Sequence, residues 1–457
     1  MKALAESRQA PAPVRRSWAS LVARAMTVLA VIAAVGAIAL YLVLAIKRVG
    51  YPYAIEWLEG GAVEEVGRVL HGRQIYTAPS INYVAYPYTP LYFWVSAAVA
   101  RLTGLSYLPL RLVSMTASLA SVALLYRLVA DEGGRVAGAV AGGLFAAAFR
   151  WTGGFYDVSR VDSLMMALVL ACLLMVARAR RPAGFAVAGV LAFLAALTKQ
   201  SALIAVAPVA VWLVARPGTS RRNGLIFVGA ALIPLAGVAL ALDATTSGWF
   251  ATITGGVLLG HGVDPTWWLG FWRLDLFPTV LPGAALVALA VILCARGRRA
   301  SSGRLGLYLC AGAGMVLAAY VSRLHSASSE NVLIPVAAAL ALLGGLAFAG
   351  LAGRRAGLRM LVAALCLAQF GLLAYNPAAQ LPPAAQTATA KRLAAVLRQL
   401  PGEVLIVSHP WETTLAGKGT HAHAGAIFDD VRTSDRRANA ALEASIAAAV
   451  SSERFTV

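Results

Sequence analysis

The sequence predicts a mainly α-helical protein that crosses a membrane many times. Of its 457 residues, 60% are hydrophobic and 13% are charged, whereas soluble domains average roughly 45–50% apolar and about 25% charged residues. The apolar residues form repeated runs near the ~20 residues that a helix needs to cross a bilayer. Arginines cluster between these runs without acidic neighbours, which is typical of cytoplasmic loops.

Twelve apolar runs are predicted to form helices. They cover residues 24–46, 89–103, 108–128, 135–149, 161–177, 183–197, 201–215, 224–242, 277–295, 305–322, 331–351 and 359–375. The first run follows Arg15, Arg16 and Arg24 and is longer than the ~7–15 apolar residues of a signal peptide. We therefore expect a retained first helix, preceded by a cytoplasmic N-terminus of residues 1–23.

The charges indicate which side of the membrane each loop occupies. Arginine clusters lie near residues 178–181, 216–222, 296–304 and 354–359, and short basic loops stay in the cytoplasm. The segments that alternate with them are 51–90, 153–162, 199–200, 245–277, 325–331 and the tail after 375, which we predict to face outward. All but three of the 20 acidic residues (Glu6, Asp131 and Glu132) fall on that side or at its boundary. This asymmetry accounts for the net charge of +19 without a nucleic-acid partner.

The alternation of loops predicts eleven crossings rather than twelve. Segments 51–90 and 153–162 both face outward, so run 89–103 does not cross. It is short, and we expect a half-helix in the outer leaflet, which is allowed where protein covers the backbone. The N-terminus is then inside the cell and the C-terminus outside.

The cysteines do not indicate a disulfide framework or a zinc site. Cys172, Cys294, Cys310 and Cys366 all lie in apolar runs. There is no CxxC pair and no cluster of cysteine and histidine.

The polar character changes after residue 376. We predict a transmembrane domain over residues 24–376 and a small extracytoplasmic α/β segment over 377–457. Residues 387–400 have the spacing of an amphipathic helix, and Pro401-Gly402 ends it. Residues 403–408, EVLIVS, are predicted to form a short buried strand.

The first outward segment contains the most informative acids. Apolar positions in AIEWLEGGAVEEVGRVLHG predict an amphipathic helix at the membrane surface. Glu56 and Glu59, three residues apart, share one face of it. A general base near the membrane is one interpretation, and the solvated polar face of an interfacial helix is the other. We expect Glu64 and Glu65 to lie on the exposed side.

The second outward segment, GGFYDVSRVDSL, places Asp157, Arg160 and Asp162 at the mouth of a predicted membrane helix. Charges at membrane depth are costly and are a functional hypothesis by default. The alternative is local structure, with Asp157 capping the helix and Arg160 pairing nearby.

Further outward segments contribute candidate binding residues. Lys199, followed by Gln200, suits a phosphate at the membrane surface, or it is a lysine that extends toward the interface. Segment 323–331 contains Arg323, His325 and Asn331, and Arg323 could bind a phosphate together with Lys199. Ordinary loop polarity explains this segment equally well.

Two other segments carry weaker signals. The aromatic stretch 259–272 fits a sugar, a lipid chain or an interfacial belt. His421, His423, Asp429 and Asp430 have metal-ligand side chains, but we expect a solvated loop and no metal site there.

The aromatic YPYTPLYFW and the GGFYDVSRVDSL stretches resemble the GT-C glycosyltransferases. More narrowly, the chain is similar over about residues 20–380 to the family-39-like group, which is related to protein O-mannosyltransferases and the lipid A aminoarabinose transferase. The resemblance implies transfer of a sugar from a polyprenyl-phosphate donor to a glycan, lipid or protein acceptor at the outer face of a bacterial-type cytoplasmic membrane, with inversion at the sugar.

The resemblance also implies roles for individual residues. A first-loop acid is the base, and this chain has Glu-Trp-Leu-Glu where many relatives have Asp-Glu, so Glu56 is the first candidate and Glu59 the second. Asp157 and Asp162 match the second-loop acids, and Lys199 matches a lysine near the donor phosphate. The substrate-binding set is Tyr88, Arg160, Lys199, Gln200, Arg323, His325 and Asn331. No cofactor is required, and dependence on a divalent metal stays open.

Two other function classes compete with this interpretation. A transporter or flippase of a lipid-linked sugar would place functional charges near the bilayer midplane. A non-catalytic partner in envelope-glycan assembly would tolerate the loss of Glu56 and Asp157. A phosphate loop or dinucleotide fingerprint does not occur in the sequence, so nucleotide hydrolysis is not supported.

Overall fold

The structure, a computed structural model, describes residues 18–296, 303–326, 328–352 and 355–456. Its membrane-type helices are α1 (Trp18–Val49), α3 (Leu91–Thr103), α4 (Tyr107–Gly133), α5 (Arg135–Ala147), α6 (Asp162–Arg178), α7 (Pro182–Thr198), α8 (Ser201–Ala215), α9 (Thr219–Thr245), α10 (Trp249–Gly260), α11 (Phe277–Arg296), α12 (Gly303–Leu324), α13 (Ile334–Ala352) and α14 (Ala356–Leu372). The remaining helices are α2 (Glu59–Leu70), α15 (Ala384–Gln399), α16 (Pro410–Leu415), α17 (Ala424–Arg432) and α18 (Arg436–Ser451). Glu6, Arg15, Arg16, Arg298, Arg299 and Arg354 lie outside the described residues.

Each of the twelve predicted apolar runs coincides with a helix. Within the described ranges, six helical segments are long and apolar enough to cross a membrane: Trp18–Val49, Tyr107–Gly133, Thr219–Thr245, Trp267–Ile292, Arg304–Leu324 and Glu330–Gly350. The shorter apolar helices α5, α7 and α8 lie between them, and α14 follows the last one. A multi-pass membrane protein is therefore confirmed, and the count of eleven crossings stays a prediction.

Small residues bring the helices close together. A Cβ atom on Gly143 in α5 would collide with the backbone of Ala34 in α1, and one on Gly133 would collide with Ala349 in α13. Such contacts are the usual basis of packing in membranes, where lipid is as apolar as the helix surface. Inside the bundle, the Tyr41 hydroxyl is hydrogen-bonded to Ser118.

The buried side-chain amide of Gln369 pairs backbone groups of α11 that are left free near a proline. Gln369 of α14 accepts a hydrogen bond from Gly283 N at 3.0 Å and donates one to Thr279 O at 2.8 Å. These two backbone groups are four residues apart in α11, directly beside Pro282. The side chain thus satisfies groups that the helix would normally pair with each other, since unpaired backbone groups are costly inside a bilayer.

Charges at the two ends of the bundle agree with the predicted sidedness. Asp131 pairs with Arg178, and Glu132 pairs with Arg304, so the acids predicted on the inside meet the arginine clusters. The segments predicted to face outward meet one another at the other end, as the site below shows. Which end faces the cytoplasm stays a prediction.

The predicted half-helix is α3, which has 13 residues. At ~1.5 Å per residue it is about 20 Å long, less than the ~30 Å hydrocarbon core. It packs against α2, α4 and α7. Thr89, just before it, donates a hydrogen bond to Ala196 O at 2.8 Å, which connects the end of the first outer segment to α7.

Two local predictions need correction. Segment 259–272 is only partly a loop: from Trp267 it is helical and continues through a π-turn into α11. Residues 403–408, all described, form no strand. Glu403 makes a single parallel bridge with Phe455, and residues 404–408 are irregular or turn.

Candidate active site

A cavity of about 570 Å³ lies where the outward segments meet. This volume is within the range typical of small-molecule sites. Among the predicted residues, it is lined by Tyr88, Arg160, Lys199, Gln200, His325 and Asn331. Four outward segments far apart in sequence therefore converge here.

The backbone before α2 is shaped by Glu59. Its Oε2 accepts hydrogen bonds from Ile55 N at 2.7 Å and Glu56 N at 3.2 Å. Leu58 N in turn donates to Glu56 Oε2 at 3.1 Å. Glu56 therefore lies in a tight turn that precedes the helix rather than on the helix face predicted from the sequence.

Glu59 is buried and saturated with donors. Arg111 of α4 donates through Nε to Oε1 at 2.8 Å and through Nη2 to Oε2 at 2.6 Å. Ser159 donates to Oε1 through both its backbone N and its hydroxyl, at 2.8 and 2.9 Å. Burial alone would raise the pKa of Glu59, but the charge and hydrogen bonds of Arg111 outweigh it and hold the pKa below its usual value. We name Glu59, Arg111 and Ser159 the buried clamp.

Glu56 has the opposite electrostatics. Its side chain is 12% exposed, and Oε1 lies 3.4 Å from Arg160 Nη1. Burial raises the pKa of Glu56 to about 7, while Arg160 lowers it and Glu59 raises it further. A carboxyl group with this pKa is poised to exchange a proton near neutral pH.

Arg160 and Lys199 are cations that line the cavity, whereas Glu56 and Asp162, which pair with them, are not among its lining residues. Lys199 Nζ donates to Asp162 Oδ1 at 2.6 Å, and Asn331 donates to the same oxygen at 3.0 Å. Arg160 Nε is 3.6 Å from Asp162 Oδ2. We name Glu56, Arg160, Asp162 and Lys199 the cavity cluster; its charges alternate in sign.

Tyr88 closes one side of the cavity cluster. Arg160 Nη2 donates to the Tyr88 hydroxyl at 3.3 Å, and Lys199 Nζ lies 5.6 Å from the centre of the Tyr88 ring. Gln200 Nε2 donates to Pro87 O at 2.9 Å. The YPYTP segment is thus joined to the turn between α7 and α8.

Asp157 lies apart from the cavity lining. It is buried and pairs with Arg48 at the end of α1, Oδ1 to Nη2, at 3.2 Å. Arg48 also donates to Gly154 O and Gln380 O, at 3.1 and 3.2 Å. Burial raises the pKa of Asp157 to about 6, although Arg48 lowers it. The contacts connect α1, the second outer segment and the start of the tail; a catalytic role stays a prediction.

Arg323 is not among the residues that line the cavity. Its guanidinium donates to Asp275 at 2.8 and 3.1 Å and lies 3.7 Å from the centre of the Trp267 ring. The neighbouring His325 does line the cavity. Arg323 therefore pairs with Asp275, in the π-turn that precedes α11, and does not lie beside Lys199 as predicted.

Glu65 is buried, contrary to the prediction. It was expected on the exposed side of its helix, yet it is 1% exposed and accepts a hydrogen bond from Tyr86 N at 2.7 Å. Burial raises its pKa well above the usual value. The helix is covered on this side by the YPYTP segment, which sequence periodicity could not reveal.

The tail contributes residues that the sequence did not predict. Gly425, Phe428, Asp429 and Arg432 of α17 line the cavity, and their spacing of three, four and seven places them on one helix face. That spacing in AGAIFDDVR was the available signal. It was missed because the tail was expected to be a separate segment.

His423 attaches the tail to the first outer segment. Its Nδ1 accepts from Gly425 N at 2.9 Å, so Nε2 carries the proton and donates to Trp57 O at 2.6 Å. Burial lowers the pKa of His423 to about 4, which keeps the ring neutral. The residue after Glu56 is therefore held by the tail.

The solvated loop expected around residues 421–430 is wrong. His421, His423 and Asp430 are all buried, because the tail packs on the first outer segment. Within the part of the chain that the structure describes, no group of three or more histidine, cysteine or acidic side chains is arranged to hold a metal ion.

Comparisons with known proteins agree with the geometry. A family model described as dolichyl-phosphate-mannose-protein mannosyltransferase matches residues 87–242. No curated protein matches the chain. ArnT from Cupriavidus metallidurans bound to undecaprenyl phosphate is similar in structure, with a TM-score of 0.61, 14% identity, and 94% of this chain and 89% of ArnT covered.

A second solved structure has the same kind of fold. The archaeal oligosaccharyltransferase AglB from Archaeoglobus fulgidus, in complex with an inhibitory peptide and a dolichol-phosphate, has a TM-score of 0.55 and 13% identity, with 90% of this chain and 65% of AglB covered. At such identities the likeness concerns the fold. Together with the family match over residues 87–242, it confirms the predicted resemblance to GT-C glycosyltransferases related to protein O-mannosyltransferases and ArnT.

Proposed function

We propose that this chain transfers a sugar from a polyprenyl-phosphate donor to a hydroxyl group of an envelope glycan, lipid or protein. The reaction takes place at the outer face of a bacterial-type cytoplasmic membrane. One observation carries the proposal: a carboxyl group with a pKa of about 7 lies 3.4 Å from a cation that lines a cavity, with a second cation close by.

Glu56 is the proposed base. Its Oε1 has one partner, Arg160, at a long distance of 3.4 Å, whereas both oxygens of Glu59 are occupied by donors at 2.6 to 3.2 Å. A base must have a free lone pair for the proton that it accepts. The contacts therefore support Glu56 over Glu59, which we assign to holding the turn.

Arg160 and Lys199 are the proposed phosphate-binding pair. Both are cations beside the cavity, and Arg160 Nε is a buried donor with no hydrogen-bond partner among the described residues. Asp162 positions Lys199 through its 2.6 Å contact, and Asn331 holds Asp162. Asp157 is the proposed positioning acid of the second loop.

The reaction balances without a nucleotide. The acceptor oxygen bonds to C1 of the sugar as the bond from C1 to the phosphate oxygen breaks, and Glu56 takes the hydroxyl proton. The electron pair of the broken bond goes to the phosphate, which leaves as polyprenyl phosphate with one more negative charge. Arg160 and Lys199 stabilise that charge, and the cavity aligns the two substrates. Attack opposite the leaving group inverts C1.

A donor screen tests the proposal. Purified protein in proteoliposomes is supplied with undecaprenyl-phosphate sugars and an extract of envelope acceptors, and release of undecaprenyl phosphate is measured. We expect release with at least one donor and its loss in Glu56→Gln. The control is Glu443→Gln, which neutralises an exposed tail carboxylate.

The rival functions give different results in the same vesicles. A flippase moves the lipid-linked sugar across the bilayer without releasing undecaprenyl phosphate. An assembly partner does neither, and Glu56→Gln then has no effect on envelope glycan in cells. Either result with correctly folded protein overturns the proposal.

A further inference from the structure

The cavity has two chemically different ends. One part of the lining carries Arg160 and Lys199, and the other is formed by α17 of the tail, with Phe428 and the ion pair of Asp429 and Arg432. The Asp429–Arg432 pair offers a phosphate no net positive charge, and Asp429 repels it, so a phosphate favours the end with Arg160 and Lys199. The tail end is then left for a part of the substrate without negative charge.

The α17 helix is held at both of its ends. At its start, His423 donates to Trp57 O, as described above. At its far end, Ser434 N donates to Gly260 O at 3.1 Å, and a Cβ on Gly260 would collide with the Thr433 hydroxyl. The helix is therefore docked between the first outer segment and the end of α10.

Asp429 is fixed by a chain of imidazoles. The Asp429 carbonyl accepts from His261 Nε2 at 2.6 Å. His261 Nδ1 then accepts from His325 Nε2 at 2.9 Å, because a neutral imidazole has one donor and one acceptor nitrogen. Both rings line the cavity, and they anchor the backbone that carries the Asp429 side chain.

The Asp429 carboxylate has spare accepting capacity. Its side chain is 24% exposed, and Oδ1 accepts from Arg432 Nη2 at 3.0 Å. An ionised carboxylate offers about four acceptor positions, so positions remain for donors on a ligand. Neutral ligands with several hydrogen-bond donors fit this end.

Two exposed aromatic side chains share the cavity with Asp429. Phe428 is 52% exposed and Trp57 is 44% exposed, and both line the cavity. Large exposed aromatics next to a few convergent polar groups are typical of ligand sites. A sugar ring has both an apolar face of C–H groups and donating hydroxyls, which match the aromatic rings and the carboxylate.

We propose that the tail helix forms the sugar-binding wall of the cavity, with Asp429 accepting hydrogen bonds from sugar hydroxyls beside Phe428 and Trp57. This inference rests on the proposed function for its reaction but concerns which part of the substrate the tail recognises. The ligand is a neutral hydroxylated ring, which belongs either to the donor or to a glycan acceptor. The tail is then a determinant of specificity rather than an appended segment.

The test compares Asp429→Asn with the matched tail variant Glu443→Gln. Hydrogen bonds to a charged group contribute about 1.5–3 kcal/mol, so we expect the KM of the sugar-bearing substrate to rise about tenfold to a hundredfold in Asp429→Asn. An increased KM for the donor assigns the ring to the donor sugar; an increased KM for the acceptor assigns it to the glycan. Phe428→Leu, which alters an exposed side chain, should raise the same KM.

A binding measurement separates this inference from the proposed function. Native mass spectrometry in nanodiscs compares undecaprenyl phosphate, undecaprenyl-phosphate mannose and short mannose oligosaccharides. We expect Asp429→Asn to keep the affinity for undecaprenyl phosphate and to lose the added affinity for sugar. If the wild-type protein binds sugar in this way but transfers none, the proposed function is wrong, and the inference that α17 binds sugar is still supported. If neither Asp429→Asn nor Phe428→Leu changes a KM or a sugar affinity by more than about twofold, the inference is overturned.

Discussion

Glu56 and Glu59 lie three residues apart and each faces an arginine, yet their surroundings give them opposite properties. Glu59 in the buried clamp has contacts as short as 2.6 Å and a lowered pKa. Glu56 in the cavity cluster has a single long arginine contact and a pKa raised to about 7. The number of donors around each carboxylate, rather than burial itself, separates a structural acid from a candidate base.

Replacing the cavity acid should have the largest effect on turnover. In Glu56→Gln we expect transfer to fall about 10²–10⁴-fold, which is the usual contribution of a general base. The folded-state pKa of Glu56 is raised, so its charged form disfavours folding as the pH rises through about 7. Thermal unfolding at pH 8 should therefore show Glu56→Gln at least as stable as wild type. Turnover within a factor of three of wild type would remove Glu56 as the base.

Replacing the clamp acid should instead affect folding. Glu59→Gln places an amide N–H group against the donors of Arg111, and breaking a buried pair costs about 3–5 kcal/mol. We expect a lower yield and a lower melting temperature, with the turnover of the folded fraction much less affected than in Glu56→Gln. If Glu59→Gln were as stable as wild type but inactive, Glu59 would be the base and Glu56 the structural acid.

Removing a phosphate-end cation should have a smaller effect on the reaction. In Lys199→Gln we expect kcat to fall about 10²-fold, comparable with the loss of one donor that stabilises a developing charge. Lys391→Gln removes a charge from an exposed position of α15 and is the matched control. An unchanged kcat in Lys199→Gln with undecaprenyl-phosphate donors would contradict the phosphate role.

The smallest expected effect is a shift of the pH profile. A base acts in its ionised form, so kcat/KM should rise with pH through about 7 in wild type. Arg160 lowers the pKa of Glu56, so Arg160→Gln should move this rise upward by about one pH unit, because a nearby opposite charge shifts a carboxyl pKa by about 1–3 units. The midpoint is read separately from the reduced rate. A profile that does not move would show that another group titrates.

Helix positions were predictable because their cause is local. Each apolar run in the sequence became a helix, and a short run such as 89–103 became a short helix. Arg178 and Arg304 lie at the opposite end of the bundle from the acids of the outward segments, and only the acids predicted on the inside, such as Asp131 and Glu132, meet them within the described residues. This sorting was predictable because the charge of each loop depends on a few neighbouring residues. The amphipathic helix after Pro383 and its end at Pro401-Gly402 also followed from local spacing.

Candidate site residues were predictable in type but not in role. Arg160 and Lys199 line the cavity, and the acids Glu56 and Asp162 pair with them. The same reasoning could not distinguish the structural acid Glu59 from the candidate base Glu56, because the partner of Glu59, Arg111, is 52 residues away in an apolar helix. It also placed Arg323 beside the phosphate, since nothing near Arg323 in sequence reveals Asp275.

The sequence alone determined that the chain is a helical membrane protein, where its helices lie and which loops hold its few acids. Hydrophobicity and charge along a single stretch decide these properties. The tertiary structure decided that close donors occupy both oxygens of Glu59 whereas Oε1 of Glu56 has a single long contact, and that α17 lines the cavity with Asp429. Such properties depend on which donors and rings approach from segments up to several hundred residues away, and a carboxylate's pKa responds to those neighbours and not to its position in the chain.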